Sequence, residues 1–367
     1  MEVLFKILIL IFTFYGFFIL WITLGCFKIK WFRSDNIKAQ NTFTIIVPFR
    51  NEKENLPILL DSISKLQYPK ELFEVILVDD SSIEKLQFAD FGFKVLVLEN
   101  QRKSNSPKKD AINTAIQQAN FEWILTTDAD CEVPQRWLSV LDSFIQKNEK
   151  AKMVCGMVLT KNNNSFLSRF QLLDFMSLQS ATIGTFGIGK PFMCNGANFA
   201  YKKSFFIDLH GFSGNEHIAS GDDVFLLQKA IENHSGHVLY LRSKQFSVLT
   251  NPVISWKDLF IQRVRWASKT KAYKTVFAQL LALVVLLGNT GFICSIFGLF
   301  YNWNFAWFIG FKLLIDFLLL IQVRKTVPKF NKSSFLISGF VYPFFSFCVG
   351  MRILFKKKYQ WKERALE

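Results

Sequence analysis

Four groups of residues in this chain have the types and spacing to do chemistry. Asp128 and Asp130 stand as Asp-Ala-Asp after an apolar run. In an extended segment side chains two apart project to one side, so the two carboxylates can share a hard divalent cation. Mg²⁺ or Mn²⁺ fits, because either prefers oxygen ligands and can bridge a diphosphate; the same pair can also be a plain polar strand cap. Asp79 and Asp80 open Asp-Asp-Ser-Ser. A carboxylate there can accept from a ribose hydroxyl or a pyrimidine N–H, or close an Asx turn. Asp222 and Asp223 precede Val224-Phe225-Leu226-Leu227. They either cap a helix, or one takes a proton from an attacking hydroxyl while the other orients it or helps hold metal. Gln262 and Trp266 are four apart, on one face of an expected helix, with Arg263 and Arg265 between them. Such a pair can be an interfacial anchor; beside a cleaved diphosphate, Arg265 would stabilise the leaving group.

The elements that must position these groups are legible as alternating units. Residues 43–48, 73–78, 93–98 and 121–126 are nearly continuous apolar runs that predict strands. A helix beginning at Asn51 and running through Leu56, Leu59, Leu60, Ile63 and Leu66 follows the first, and a helix at 109–119 follows the third. Strand–loop–helix repetition with such strands predicts a mostly parallel sheet covered by helices, whose ligands collect beyond the carboxyl ends of the strands. Two of the acidic pairs fall at those ends. Farther on, 151–160 predicts a strand and 165–183 an amphipathic helix, with Gly184, Gly187 and Gly189 marking a connection before Cys194-Asn195-Gly196-Ala197-Asn198. No GxGxxG or GxxxxGK[ST] is present, which removes the usual dinucleotide and P-loop readings.

Composition sets the surroundings. The chain has 367 residues, 50% of them apolar, a mean hydropathy of +0.21 and a formal charge of +15. Residues 3–26, 276–300, 303–323 and 334–351 are long apolar stretches, each near the roughly 20 residues that cross a bilayer. The expected organisation is a membrane anchor at 1–27, a globular domain at 41–275, an apolar bundle at 276–355 and a basic tail at 356–367. Lys28, Lys30, Trp31, Arg33 and Lys38 follow the first stretch. That flank favours an uncleaved anchor over a signal peptide, with the N-terminus outside and the domain in the cytosol. Further basic residues (Arg263, Arg265, Lys269, Lys271, Lys274, Arg324, Lys325, Lys329, Lys332 and Lys356 to Lys358) also lie beside apolar stretches. They suit an anionic membrane surface or a phosphorylated substrate, and no module for nucleic acid accompanies them. The cysteines are scattered without CxxC and there is no HExxH, so neither a disulfide framework nor a zinc site is expected.

Taken in order, VPFRNE at 47–52, VDDSS at 78–82, TDAD at 127–130, CNGAN at 194–198, GDD at 221–223 and QRVRW at 262–266 form a set. This set resembles the bacterial membrane-bound family 2 glycosyltransferases. The resemblance implies a GT-A nucleotide-diphospho-sugar transferase domain, an α/β fold with a mostly parallel mixed sheet, inserted between transmembrane helices. It also implies inverting, metal-dependent transfer from a nucleotide-diphosphate sugar, a UDP-sugar first, with Mg²⁺ or Mn²⁺. Pro48 and Glu52 fall in the first donor motif, Asp79 and Asp80 in the nucleotide motif, and Lys108 matches a lysine near the donor diphosphate. Asp128 and Asp130 match the metal motif, with Asp128 also facing the donor. Asp223 matches the base beside Asp222, and Gln262, Arg265 and Trp266 match the QxxRW signature. The sequence departs from the family pattern in having Ser81 where DDGS has glycine, and Asp222 where the residue before the base is usually glutamate.

The implied acceptor is a lipid, a lipid-linked glycan or another membrane-associated glycan, presented by the apolar bundle at a bacterial inner membrane. Few apolar segments favour adding one or a few sugars over a processive polysaccharide synthase. An inert nucleotide-sugar-binding scaffold is the alternative outside enzymology. Within 334–351, Gly339 and Pro343 predict a re-entrant break that returns the tail to the cytosol.

Overall fold

The computed structural model describes all residues except 36–37, 85–90, 217, 219, 270–272, 274, 328–331, 356–358, 362–363 and 367; for 332–335, 359–361 and 364–366 it describes the backbone alone. Lys271, Lys274, Lys329 and Lys356 to Lys358 therefore lie outside the described residues. The chain forms two compact units. One comprises Lys30–Leu159 and Met193–Asn251; the other comprises Met1–Ile29, Thr160–Phe192 and Pro252–Glu367.

The first unit is built on a seven-stranded sheet. Its strands are β1 (Phe43–Phe49), β2 (Phe73–Asp79), β3 (Lys94–Glu99), β4 (Trp123–Thr126), β6 (Met153–Gly156), β8 (Phe199–Lys202) and β9 (Val238–Leu241), in the order β3-β2-β1-β4-β8-β6-β9. β1, β2, β3 and β4 pair in parallel, with Ile45 opposite both Val75 and Leu125. β8 is antiparallel to β4 and β6, and β9 is parallel to β6, so the sheet is mixed. β2 is buried along its whole length, as an apolar run covered on both faces must be. Pro48 is tolerated in β1 because pairing with β4 ends at Ile46, leaving no partner there for the missing N–H. A second sheet joins β5 (Cys131–Glu132), β10 (Val248–Thr250) and β7 (Val158–Thr160).

The helices of this unit are α2 (Leu56–Ser64), α3 (Pro107–Gln118), α4 (Trp137–Lys147), α6 (Lys203–Asp208) and α7 (Asp222–His234). α2 starts at Leu56 with Asn55 before it, not at Asn51. Asn51 instead adopts φ of 54°, a left-handed conformation that asparagine tolerates. Its N–H donates to Ser82 Oγ at 2.9 Å and its Oδ1 accepts from the Ile83 N–H at 3.0 Å. The loops after β1 and β2 are thereby stitched together where the chemistry was expected.

The second unit is helical: α1 (Glu2–Lys28), α5 (Phe166–Gly187), α8 (Trp256–Ser268), α9 (Val276–Gly298), α10 (Ala306–Leu320) and α11 (Lys332–Phe355). A backbone hairpin follows, β11 (Tyr359–Trp361) with β12 (Arg364–Leu366). Among the described residues four segments are long and apolar enough to cross a membrane: Glu2–Lys28, Val276–Gly298, Trp303–Thr326 and Leu336–Phe355. The units do not follow the expected 41–275 boundary, because α5 and α8 pack among the apolar helices. Gly184 and Gly187 are not a connection; they lie inside α5 against α1. A Cβ at Gly187 would strike the Gly25 carbonyl, and one at Gly25 would strike the Gly184 carbonyl. Only glycine permits so close a crossing.

The expected break at 334–351 is also absent. α11 runs continuously with Pro343 inside it. In an apolar setting a helix keeps its backbone groups paired, and Pro343 removes only one donor from that ladder. One charge pair lies within the bundle. Lys312 donates to Asp316 Oδ2 at 2.6 Å, and the Tyr15 hydroxyl of α1 donates to the other carboxylate oxygen.

Candidate active site

The α/β unit gathers two of its acidic motifs through one lysine. Lys108, in the first turn of α3, donates to Asp128 Oδ1 at 2.7 Å and lies 3.2 Å from Asp222 Oδ2. Burial alone would lower the pKa of this ammonium, but Asp128 and Asp222 outweigh it and raise the value, so Lys108 is a fixed positive charge. Gly196 makes the approach possible: a Cβ there would stand 2.8 Å from Asp222 Oδ2 and 3.4 Å from Lys108 Nζ.

Asp223 is oriented by backbone amides. Gly196 N–H donates to its Oδ2 at 3.0 Å and Val224 N–H to its Oδ1 at 2.7 Å. Gly221, before α7, has φ of 88°, and a Cβ on it would also press on the Phe225 ring. The GDD turn therefore requires glycine on conformational and packing grounds. Asn198, the last residue of CNGAN, is completely buried and structural. It accepts from Trp137 Nε1 at 3.0 Å and donates to the Met157 and Phe246 carbonyls at 2.9 and 2.6 Å.

Asp128 and Asp130 follow β4 directly and are half-buried. Burial first, then the neighbouring Asp128 and Glu52 carboxylates, push the Asp130 pKa up to about 6; Thr250 Oγ1 donates to its Oδ2 at 3.1 Å. Crowded carboxylate oxygens of this kind are the environment a hard divalent cation relieves, so the residues fit Mg²⁺ or Mn²⁺. Among the described residues no group of three such ligands gathers. Asp128 and Asp130 would hold the ion, leaving its other positions to water and a diphosphate. Glu52 is itself held by Asn55, whose Nδ2 donates to it at 2.7 Å.

At the carboxyl end of β2, Asp79 Oδ1 accepts from the Ser82 N–H at 2.8 Å, which is the turn geometry open to this motif. Asp80 is gripped by a partner the sequence reading missed. Arg102 donates to both its oxygens, Nε at 2.7 Å and Nη2 at 2.8 Å, and Asn100 Nδ2 adds a third bond at 2.8 Å. Asn100 and Arg102 directly follow β3, so the rule that ligands collect at strand ends was the available signal.

Gln262, Arg265 and Trp266 lie on α8, in the helical unit. Gln262 Oε1 accepts from Arg263 Nη1, and Trp266 lies against Phe175 edge-on at 5.6 Å. Ser268 Oγ donates to the Arg265 carbonyl at 2.8 Å.

Residues 44–210 match Glycosyl transferase family 2. A protein of Bacillus subtilis (strain 168), named a probable glycosyltransferase, YdaM, is 25% identical over 77% of this chain and 66% of its own length. The poly-beta-1,6-N-acetyl-D-glucosamine synthase of Staphylococcus epidermidis is 29% identical over 35% of this chain and 31% of its own. The chain thus spans just under two thirds of the first relative and under a third of the second. Among solved structures, the mannosyltransferase PcManGT of Pyrobaculum calidifontis, in complex with GDP-Man and Mn²⁺, superposes with a TM-score of 0.60 at 16% identity. That match covers 97% of this chain and 99% of the other, and it supports a shared GT-A-like fold. The likeness to Glycosyl transferase family 2 thus spans residues 44–210, in a chain whose described residues include four helices long and apolar enough to cross a membrane.

Proposed function

We propose that the protein is a membrane-bound inverting glycosyltransferase that moves a sugar from a nucleotide-diphosphate donor to a lipid or membrane-associated glycan acceptor. The observation that carries this reading is the convergence of two distant motifs on Lys108, which bonds Asp128 of the Asp-Ala-Asp and pairs with Asp222 beside Asp223. A diphosphate needs fixed positive charge and an attacking hydroxyl needs a base; this cluster offers both within one unit.

In the proposed reaction the acceptor oxygen attacks the anomeric carbon as the bond to the diphosphate breaks, which inverts the centre. Asp223 takes the hydroxyl proton, held by the Gly196 and Val224 amides, while Asp222 stays paired with Lys108. Lys108 is assigned to charge on the leaving diphosphate. Asp79 and Asp80 are assigned to the nucleoside, Arg102 orienting the Asp80 carboxylate. A divalent cation on Asp128 and Asp130 would neutralise the diphosphate. Basic flanks support the reading that the α/β unit lies in the cytosol of a bacterium, at its inner membrane.

The decisive assay combines the full-length protein in detergent, a panel of UDP- and GDP-sugars, Mg²⁺ or Mn²⁺, and a membrane lipid extract. The names of the relatives put donors of N-acetylglucosamine and of mannose first on that panel. Transfer from one donor with an inverted linkage is expected, lost in Asp223→Asn. Metal-dependent donor binding without transfer to any acceptor would instead favour a scaffold. Long products at limiting acceptor would favour a processive synthase.

A further inference from the structure

The signature on α8 contains an arginine to which its pattern assigns no role. Arg263 is 6% exposed, and its partner Asp174 on α5 is 4% exposed. Arg263 Nε donates to Asp174 Oδ2, while Nη1 of the same group donates to Gln262 Oε1. Its guanidinium carbon lies 4.2 Å from the centre of the Trp266 ring and 5.1 Å from that of Phe175. One planar cation therefore touches two of the three side chains that define the signature. A buried ion pair that served only to join two helices would not need those contacts. Nη2 is buried with no acceptor among the described residues, so the group is not saturated by packing.

We infer that Arg263, locked by Asp174, is a positioning residue for sugar transfer: it sets the orientation of the Gln262 amide and the Trp266 ring. The inference rests on the proposed sugar transfer and on the acceptor role that the QxxRW resemblance implies for Gln262 and Trp266. Its chemistry is specific to a guanidinium. A lysine keeps the charge but cannot donate in two fixed directions while lying flat on an indole. Asp174→Asn keeps the size of the anchor and removes its charge, loosening the group without emptying the site.

The test uses the full-length protein in detergent, labelled with 5-fluorotryptophan at its nine tryptophans. The ¹⁹F line of Trp266 is identified by its loss in Trp266→Phe. Arg263→Lys and Asp174→Asn are expected to shift or broaden that line and leave the others in place. Both should raise the acceptor KM at least tenfold while the donor KM stays within twofold. Combining Gln262→Ala with Arg263→Lys should add little further loss. An unmoved Trp266 line, or equal loss on donor and acceptor in proportion to unfolded protein, would overturn the inference. If Arg263→Lys does not fold, Asp174→Asn gives the same readouts. Wild-type transfer by Gln262→Ala and Trp266→Phe, with the line still moving, would instead sink the role of those two residues in the reaction. An unmoved line alongside an inactive Gln262→Ala would sink only the positioning.

Discussion

Each unit holds a lysine between partners of opposite charge or polarity, and the two lysines are finished differently. In the helical unit Lys312 is enclosed, bonded to Asp316, and lies over the Tyr15 ring at 5.1 Å. In the α/β unit Lys108 also meets carboxylates, yet its side chain is 24% exposed and that of Asp128 39%. The enclosed Lys312 ammonium has no place for another ion, and its value lies in fixing how helices register. A half-open cluster can trade one cation for another and admit a substrate. The same ion-pair chemistry thus separates into structure and function according to what solvent can reach.

The largest effect expected from that contrast is on turnover. Asp223→Asn should reduce transfer by about a thousandfold, the range for loss of a positioned general base. Thermal unfolding should change little, since the half-buried Asp223 bonds mainly to backbone at the rim of its unit. Turnover that survives in the folded variant would remove Asp223 as base and break the functional side of the comparison. In the helical unit the ordering reverses. Asp316→Leu alone strands the Lys312 charge and should cost about 3–5 kcal/mol, whereas Lys312→Met with Asp316→Leu should cost about 1 kcal/mol or less. Unfolding in detergent measures both. Equal losses in the single and double variants would show that the pair does more than compensate its own burial.

The sequence was most readable where chemistry and periodicity coincide. Apolar runs ending in Asp79-Asp80 and Asp128-Ala-Asp130 indicated both the strands and the edge of the sheet that matters, because parallel strands deliver their carboxyl ends to one side. The mixed half of the sheet was harder to read, since β8 enters antiparallel from a loop of small and polar residues and its neighbours are not adjacent in the chain. Contacts that join distant residues left no local trace. Nothing beside Asp80 announces the Arg102 fork, and nothing in 165–183 announces that Asp174 would meet Arg263. The glycines of α5 read as a break because glycine usually marks one; their use against Gly25 is visible only once two helices touch.

Glu74 asks whether the unit or the exposure decides a carboxylate's use. It lies in the α/β unit on β2 but is 2% exposed. Burial would raise its pKa, yet bonds from Lys94, from Asn120 twice and from Thr44 outweigh that and lower it. A lowered folded pKa means the carboxylate contributes stability above its unfolded pKa and loses it as pH falls through the folded value. Glu74→Gln should therefore cost about 2 kcal/mol at neutral pH and become less distinguishable from wild type in acid. Its transfer activity should stay within twofold when folded. Unfolding midpoints across pH 3 to 7, with one activity assay, check this; a large loss of turnover would show that exposure is not the criterion.

The smallest effect concerns the loop beside the proposed nucleoside site. Ser81 stands where the resembling family has glycine, and it adopts φ of 61°. A left-handed conformation costs a non-glycine residue about 1–2 kcal/mol, while glycine returns about 0.5–1 kcal/mol as added freedom of the unfolded chain. Ser81→Gly should then stabilise the protein by about 0.5–1 kcal/mol, read as a small rise in unfolding midpoint. Ser82, which holds Asp79 and Asn51, is untouched by the change. If donor KM also stays constant, Ser81 is a tolerated strain and the working parts of this loop are the bonds to Asp79 and Asp80. A stabilised protein that binds donor less well would mean that the hydroxyl or the stiffness of Ser81 serves the nucleotide, and the half-open side of the comparison would extend from the carboxylates to the turn that carries them.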